Sequence, residues 1–259
     1  MLIDTHCHLY SESFDQDREE MLARALAAGV EEFYLPAIDS QYTDRMYSLE
    51  AQYPDRIHLM MGLHPTSVKE NFREELDHVK RQFQERDFCA VGEIGIDLYW
   101  DRSTLQWQVK AFREQIELAL SRSLPIVIHC RESFDEIFEV LEDYRGTGLY
   151  GIFHCFTGTL EQAEQAISLG FRLGIGGVVT FKNGKIDKFL DQIDLANIVL
   201  ETDSPYLAPV PYRGKRNESS YLALICTKLA EIYGLSEEEI ARQTTANARQ
   251  VFHSSSVSR

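Results

Sequence analysis

Residues 2–8 are LIDTHCH, a short apolar run that ends in two histidines separated by one residue. Seven further segments of the same kind follow it along the chain. The eight predicted strands are Leu2–Thr5, Glu32–Ile38, Ile57–Leu63, Ala90–Ile96, Pro125–His129, Gly151–Cys155, Phe171–Ile175 and Ile198–Glu201. Their apolar character is nearly continuous, which is typical of parallel strands covered by helices.

Helical patterns separate these strands. The predicted helices are Arg18–Ala28, Thr43–Gln52, Glu74–Glu85, Leu105–Ser121, Ser133–Tyr144, Leu160–Leu169, Ile186–Ile193, Tyr221–Tyr233 and one or two closing helices over Ser236–Val251. Eight strand–helix repeats predict an α/β fold of the (β/α)8 TIM-barrel type, with a doubly wound open sheet as the alternative.

The length of 259 residues suits one barrel domain over residues 1–259, with 254–259 expected to be a frayed tail. Two smaller domains are the alternative, but the sequence shows no linker.

The net charge of −15 argues against a long duplex-binding groove, which normally presents a basic face. The five cysteines form no CxxC pair, so we expect a reducing, cytoplasmic setting rather than a disulfide scaffold. No stretch approaches the roughly 20 apolar residues of a membrane helix, so no membrane association is expected.

Side chains of metal-binding types recur at the carboxyl ends of the predicted strands, where parallel barrels carry their active sites. His6 and His8 are two residues apart, so an extended strand directs both to the same side. The other candidates at strand ends are Glu93, His129, His154 and Asp203. Histidine and carboxylate ligands suit zinc or manganese, and additional oxygen ligands also admit magnesium. We therefore predict a metal site at this end of the barrel.

Each candidate also has an ordinary structural interpretation. Glu93 can form a buried salt bridge, although a carboxylate within an apolar strand is costly unless it is paired or metal-bound. Asp203 can cap a helix, and His129 or His154 alone can bond a backbone carbonyl. His64 can be a turn residue. The histidines outside the pattern are expected to be ordinary surface or partly buried residues, and these are His58, His78 and His253.

Six ligands are enough for two cations. The division that follows from strand order places His6, His8 and Asp203 around one cation and His129 and His154 around the second, with Glu93 bridging. Two cations about 4 Å apart can activate water and stabilise both oxygens of a phosphodiester displacement. Asp203 is the best-placed proton acceptor, and His64 can bind a substrate oxygen or donate a proton. Asp4 is a candidate for orienting a histidine from behind.

The chain resembles the TatD family of metal-dependent deoxyribonucleases, which belongs to the amidohydrolase-like barrels. The matching stretches lie in family order and span nearly the whole chain: IDTHCHL at 3–9, GLHP at 62–65, GEIGIDLYW at 92–100, QWQVKAFREQIELA at 106–119, PIVIHCRES at 125–133, HCFTG at 154–158, LETDSPYLAP at 200–209 and PYRGKRNES at 211–219.

The resemblance implies a cytoplasmic enzyme with two or three divalent cations, of which magnesium, manganese and zinc are the candidates. It also implies that His64 contacts a substrate phosphate and that Glu201 supports the site. Family members are described as 3′–5′ exonucleases on DNA, some of which also act on RNA, and others are linked to the removal of D-amino acids from tRNA. One departure is visible, because the family usually has RNEP where this chain has RNES at 216–219.

The leading hypothesis is a phosphodiesterase that trims single-stranded DNA or 3′ ends, with RNA or tRNA as further partners. The basic loop after the last strand offers Arg213 and Arg216 to a phosphate backbone, although a solvated surface turn is an equal interpretation of this loop. In the first alternative the same metal site hydrolyses an amide or ester bond instead of a phosphodiester, as in a D-aminoacyl-tRNA deacylase. The second alternative is a non-catalytic binding barrel. The sequence leaves the oligomeric state open.

Overall fold

The computed structural model describes residues 1–252, so His253 and the predicted tail at 254–259 lie outside the described residues. The strands are β1 Leu2–Asp4, β2 Val30–Leu35, β3 Ile57–Met61, β4 Ala90–Asp97, β5 Ile126–Arg131, β6 Gly151–Phe153, β7 Phe171–Ile175 and β8 Ile198–Leu200. The helices are α1 Arg18–Ala27, α2 Thr43–Gln52, α3 Phe72–Glu85, α4 Leu105–Arg122, α5 Phe134–Glu142, α6 Leu160–Ser168, α7 Leu222–Tyr233 and α8 Glu237–Phe252.

The strands form one parallel sheet in the order β1 to β8, and the sheet curls so that its first and last strands meet. Hydrogen bonds cross this seam from Thr5 N to Leu200 O at 3.0 Å and from Asp203 N to His6 O at 2.9 Å. The predicted (β/α)8 barrel is therefore confirmed, and the open-sheet alternative is not observed.

One predicted helix is wrong. The segment Ile186–Ile193 forms two single 3-10 turns, Ile186–Lys188 and Leu190–Gln192. Between them Phe189 adopts φ −138° and ψ −3°, which is outside the helical region and interrupts the ladder. The apolar side chains Ile186, Leu190 and Ile193 are nevertheless buried. Their spacing therefore reflects contact with the core rather than a continuous helix.

The amino end of the barrel is closed by the last helix. A cluster of buried residues takes one side chain from each of seven strands and adds Ala248, Val251 and Phe252 of α8. The Phe252 ring stacks on Tyr34 with centroids 4.0 Å apart, and Asn247 Nδ2 donates to Ile198 O at 2.7 Å. With the amino end covered by α8, the carboxyl ends of the strands are left to form the active site. Between residues 1 and 252, no helix is at once long enough and apolar enough to cross a bilayer.

Candidate metal centre and active site

The chain after β1 brings His6 and His8 together. Cys7 N donates to Tyr34 O of β2 at 3.1 Å, and His8 N donates to Ser204 O, after β8, at 2.7 Å. The chain after β1 therefore remains hydrogen-bonded on both sides, to β2 and to the turn after β8. Both histidines are buried, and their rings lie 5.1 Å apart. The i and i+2 positions therefore present two imidazoles to the same interior space.

Glu93 owes its position to an irregularity in β4. The pairing with β5 skips one residue, since Gly92 pairs with Val127 while Ile94 pairs with Ile128. Such a bulge re-aims the extra residue, which here is Glu93. Its side chain is buried, and it points into the group of histidines at the centre of the barrel.

The two oxygens of Glu93 face two different sets of side chains. Oε2 lies 3.1 Å from His6 Nε2 and 3.8 Å from His8 Nε2. Oε1 lies 2.8 Å from His129 Nδ1, 3.3 Å from His64 Nε2 and 3.7 Å from His154 Nε2. One carboxylate thus stands between two groups of nitrogens, as a bridging ligand must.

Asp203 completes the first of these groups. Its Oδ1 lies 3.4 Å from His8 Nε2 and 3.8 Å from the Nε2 atoms of both His6 and His154. The residue has a φ of +57°, an uncommon conformation that aspartate tolerates better than most residues. The turn after β8 directs this carboxylate back over the barrel, where 13% of the side chain remains exposed.

Three of the histidines are oriented by a second partner. Tyr10 donates its hydroxyl hydrogen to Pro36 O at 2.6 Å, so its oxygen accepts from His8 Nδ1 at 2.7 Å and leaves His8 Nε2 free to bind a cation. Asp97 Oδ2 lies 2.8 Å from His129 Nε2, and Glu201 Oε1 lies 2.9 Å from His154 Nδ1. Partners of this kind fix the ring and its tautomer in metal sites.

The acidic and basic side chains of the cluster shift one another's pKa values. Burial alone would raise the pKa of Glu93, but His64, His6 and His154 hold it well below its usual value. Burial opposes protonation of His154, but Glu201, Glu93 and Asp203 outweigh it and raise its pKa to about 10. Burial lowers the pKa of His6 and of His64. Glu93 therefore stays ionised.

The donor set fits divalent cations. His6 is fully buried; within residues 1–252 its Nδ1 has no hydrogen-bond partner, and its Nε2 lies 3.1 Å from Glu93 Oε2. A buried nitrogen left in this state is expected of a metal ligand. Among the described residues, four groups of side chains have ligand atoms close enough to hold an ion, and these are His6–His8–Asp203, His6–Glu93–His154, His64–Glu93–His129 and His154–Cys155–Glu201.

A cavity of about 1050 Å³ opens above these ligands. His8, His64, Glu93, His129, His154 and Asp203 form part of its wall. Four basic side chains also line it, and these are Lys69, Arg131, Arg213 and Lys215. Four acidic side chains, Asp39, Glu93, Asp97 and Asp203, line the same cavity. A second cavity of about 1140 Å³, beside Met1, Leu2 and α8, contains none of the candidate ligands.

Two predicted site residues have other partners. Arg216 forms a bidentate pair with Asp17, donating from Nη2 to Oδ2 at 2.7 Å, and its guanidinium lies 4.7 Å from the Phe14 ring centroid. It does not line the cavity. Asp4 touches no histidine, since it accepts hydrogen bonds from Thr202 and from Ser219 Oγ at 2.7 Å. The structure thus places Asp4 against Thr202 and Ser219 and not against a histidine ring.

Three residues near the site, Asp97, Tyr10 and Trp100, had no role among the predictions from sequence. The available sequence signal for Asp97 was its position directly after the apolar run of β4, at a strand end like the candidate ligands. Tyr10 lies two residues beyond His8. Trp100 is 69% exposed and lines the cavity, although its sequence context is a plain loop.

Parallel barrel strands that bring histidines and carboxylates together at their carboxyl ends define a metal-dependent hydrolase of the (β/α)8 type. The comparison with protein families agrees with this class. Residues 3–253 match the family described as TatD related DNase. The chain belongs to the TatD family.

Similar proteins come from several bacteria. The "Uncharacterized metal-dependent hydrolase YabD" of Bacillus subtilis is 38% identical over 97% of this chain and 99% of its own length. The "3'-5' ssDNA/RNA exonuclease TatD" of Erwinia billingiae is 31% identical over 97% and 98%. The crystal structure of YjjV, a TatD homolog from Escherichia coli K12, superposes with a TM-score of 0.91 at 30% identity, covering 97% of this chain and 98% of that chain.

Proposed function

We propose that the protein is a divalent-metal-dependent phosphodiesterase that removes nucleotides from the 3′ end of single-stranded DNA. The observation that carries this proposal is the juxtaposition of the metal-binding cluster with a cavity that four basic side chains line, in a chain whose net charge is −15. A polyanionic substrate with cleavable esters matches both features.

The proposed division of the ligands is the one drawn from the strand order. His6, His8 and Asp203 would hold one cation, His129 and His154 a second, and Glu93 would bridge them. The group of His64, Glu93 and His129 is close enough to hold a third cation, but in this proposal His64 contacts the substrate instead. Magnesium, manganese and zinc are all compatible with these donors. Cations bound there supply Lewis-acid activation of water and stabilise charge on the phosphoryl oxygens.

Asp203 is the side chain proposed to accept the proton of the attacking water. Burial would raise the pKa of Asp203, but His154, His8 and His6 lower it, so the carboxylate is ionised. Its partial exposure at the cavity floor leaves an oxygen accessible to a water molecule. A general base needs both the unprotonated state and this accessibility.

His64 is proposed to hold a phosphate oxygen. Thr66 N donates to His64 Nδ1 at 3.1 Å, so in the neutral ring the hydrogen is on Nε2. Burial lowers the pKa of His64, which keeps the ring neutral. Nε2 lies 3.3 Å from Glu93 Oε1, beside the cluster. It can therefore donate a hydrogen bond to an oxygen of the reacting phosphate.

The basic side chains are proposed to bind the rest of the strand. Arg213 and Lys215 come from the loop after β8, Lys69 follows β3, and Arg131 ends β5. The relative in Erwinia billingiae is named for single-stranded DNA and RNA, which supports the same substrate class here. All five cysteines are free thiols, which supports the cytoplasmic setting that we propose.

The test uses a 5′-labelled single-stranded oligonucleotide with Mg²⁺, Mn²⁺ or Zn²⁺. We expect stepwise shortening from the 3′ end, abolished by EDTA and by an inverted 3′-terminal nucleotide. Glu93→Gln should reduce kcat/KM by at least about 10²-fold, because loss of even an outer-shell partner costs 10- to 100-fold. Folded protein that cleaves no strand with any of the metals would refute the proposal.

D-aminoacyl-tRNA provides the second arm of this experiment. Suppose that the wild-type protein released the amino acid and left DNA intact, and that Glu93→Gln no longer released the amino acid. The amide or ester alternative would then replace the nuclease.

A further inference from the structure

Exposed apolar side chains are concentrated at the mouth of the barrel. Of the eight large apolar residues that are most exposed within residues 1–252, five lie on the loops after β4 and β8. They are Tyr99, Trp100, Tyr206, Leu207 and Val210. Exposed aromatic surface beside a binding cavity has a solvation cost unless a ligand covers it, so this placement indicates a contact surface.

Trp100 is the most exposed of these residues, at 69%, and it is held firmly by its backbone. Asp97 Oδ1 accepts from Tyr99 N at 3.0 Å and from Trp100 N at 3.2 Å. The other oxygen of Asp97 contacts His129. The same carboxylate therefore fixes a candidate metal ligand and the turn that presents the indole.

Arg131 adds a planar cation to this surface. Its guanidinium carbon lies 3.7 Å from the Tyr99 ring centroid and 5.5 Å from that of Trp100. Within residues 1–252 it forms no salt bridge, and both Arg131 and Trp100 line the cavity. Its charge thus remains available to a ligand. Aromatic rings combined with arginine are the usual platform for unpaired nucleobases.

We propose that Trp100 and Arg131 form a stacking subsite for an unpaired nucleobase of the strand whose phosphodiester is cleaved. This inference rests on the proposed function and specifies its substrate, because bases within a duplex are already stacked and cannot occupy the platform. The base stacks on the indole of Trp100, and the guanidinium of Arg131 forms an ion pair with the phosphate next to that base. The subsite therefore selects single strands over duplexes.

The chain offers a direct spectroscopic test, since Trp100 and Trp107 are its only tryptophans. Trp107 is stacked on Phe72, with centroids 6.0 Å apart, and does not line the cavity. Trp107→Phe therefore leaves Trp100 as the sole tryptophan while keeping the platform. The probes are a six-nucleotide oligothymidylate with cleavage-resistant phosphorothioate linkages and an abasic oligomer with the same backbone. We expect the oligothymidylate to quench Trp100 fluorescence and the abasic oligomer to leave it unchanged.

Kinetics provide the second readout. Stacking is worth roughly 1–3 kcal/mol per base, so Trp100→Ala should raise KM for single-stranded oligothymidylate about 5- to 150-fold with little change in kcat. Trp100→Phe should recover most of the affinity, and Trp107→Phe should match the wild type. Cleavage of a strand that is abasic next to the scissile bond should be insensitive to Trp100→Ala.

The outcomes separate this subsite from the proposed function. Normal cleavage with the same KM in Trp100→Ala, or equal quenching by the abasic oligomer, overturns the stacking subsite and leaves the nuclease intact. Base-dependent quenching in a protein that cleaves no phosphodiester supports the subsite and removes the proposed activity.

Discussion

Replacing Gly174 with alanine should disturb the metal centre, although Gly174 is not a candidate ligand. A Cβ at this position of β7 would lie 2.2 Å from Oε2 and 2.8 Å from Cδ of Glu201. Glu201 is fully buried, its Oε1 accepts from Cys155 N at 2.7 Å, and the same oxygen lies 2.9 Å from His154 Nδ1. The carboxylate is thus confined, and the methyl group must displace it.

The size of the effect follows from these contacts. Ordinary van der Waals contact begins at 3.4 Å, so the carboxylate must retreat by about 1 Å and take His154 with it. Overpacking of this kind costs about 1–3 kcal/mol of unfolding free energy. Loss of a partner that orients a metal ligand weakens metal affinity about 10- to 100-fold, and a 1 Å misplacement can cost about 10²-fold in rate.

Gly176→Ala provides the matched control. Its Cβ would meet the atoms of Glu201 at no less than 3.6 Å, and its extended backbone, with φ −111°, accepts alanine. Calorimetric metal titration measures affinity in both variants independently of any activity, and urea unfolding measures stability. Equal metal affinity in Gly174→Ala and Gly176→Ala would refute the reasoning, because it would mean that His154 does not depend on the position of Glu201.

Two further predictions concern residues around the site. Burial raises the pKa of Asp4 from 3.8 to about 7, so its contribution to stability is fully present below pH 3.8 and is lost as the pH rises through about 7. Asp4→Asn should therefore flatten the pH dependence of the unfolding free energy between these values in urea titrations, and an unchanged slope would contradict the assignment. Arg216→Ala should cost about 0.5–1 kcal/mol through loss of its pair with Asp17 and leave kcat/KM intact, whereas Arg213→Ala should raise KM and leave stability intact. The reverse pattern would mean that the two arginines have exchanged roles.

The barrel was predictable because the signals that define it are local. A strand that is buried on both faces must be apolar along its length, and a helix that covers it must repeat its apolar residues with helical spacing. The segment Ile186–Ile193 shows the limit of this logic. Its apolar residues have helical spacing and are buried, yet the backbone dihedrals of Phe189 divide the segment. The spacing of apolar residues shows which side chains reach the core. It does not show whether the backbone between them forms continuous helical hydrogen bonds.

The site was partly predictable for a similar reason. Position at a strand end indicated which side chains come together in the candidate metal cluster, but the partners of long side chains depend on distant residues. Arg216 meets an aspartate 199 positions away, and Asp4 accepts a hydrogen bond from Ser219, 215 positions away. Nothing in the basic loop distinguishes Arg213, which faces the cavity, from Arg216, which does not.

The candidate metal ligands themselves discriminate between a closed barrel and an open sheet. In an open sheet with the same strand order, β1 and β8 would be separated by seven spacings of about 4.8 Å, or roughly 34 Å. Here His8 Nε2 lies 3.4 Å from Asp203 Oδ1. The backbone bond from Asp203 N to His6 O joins the same two segments at the seam. A cation shared by His6, His8 and Asp203 requires closure, so a sequence with these ligands after its first and last strands contains an argument for the barrel that apolar patterning alone does not supply.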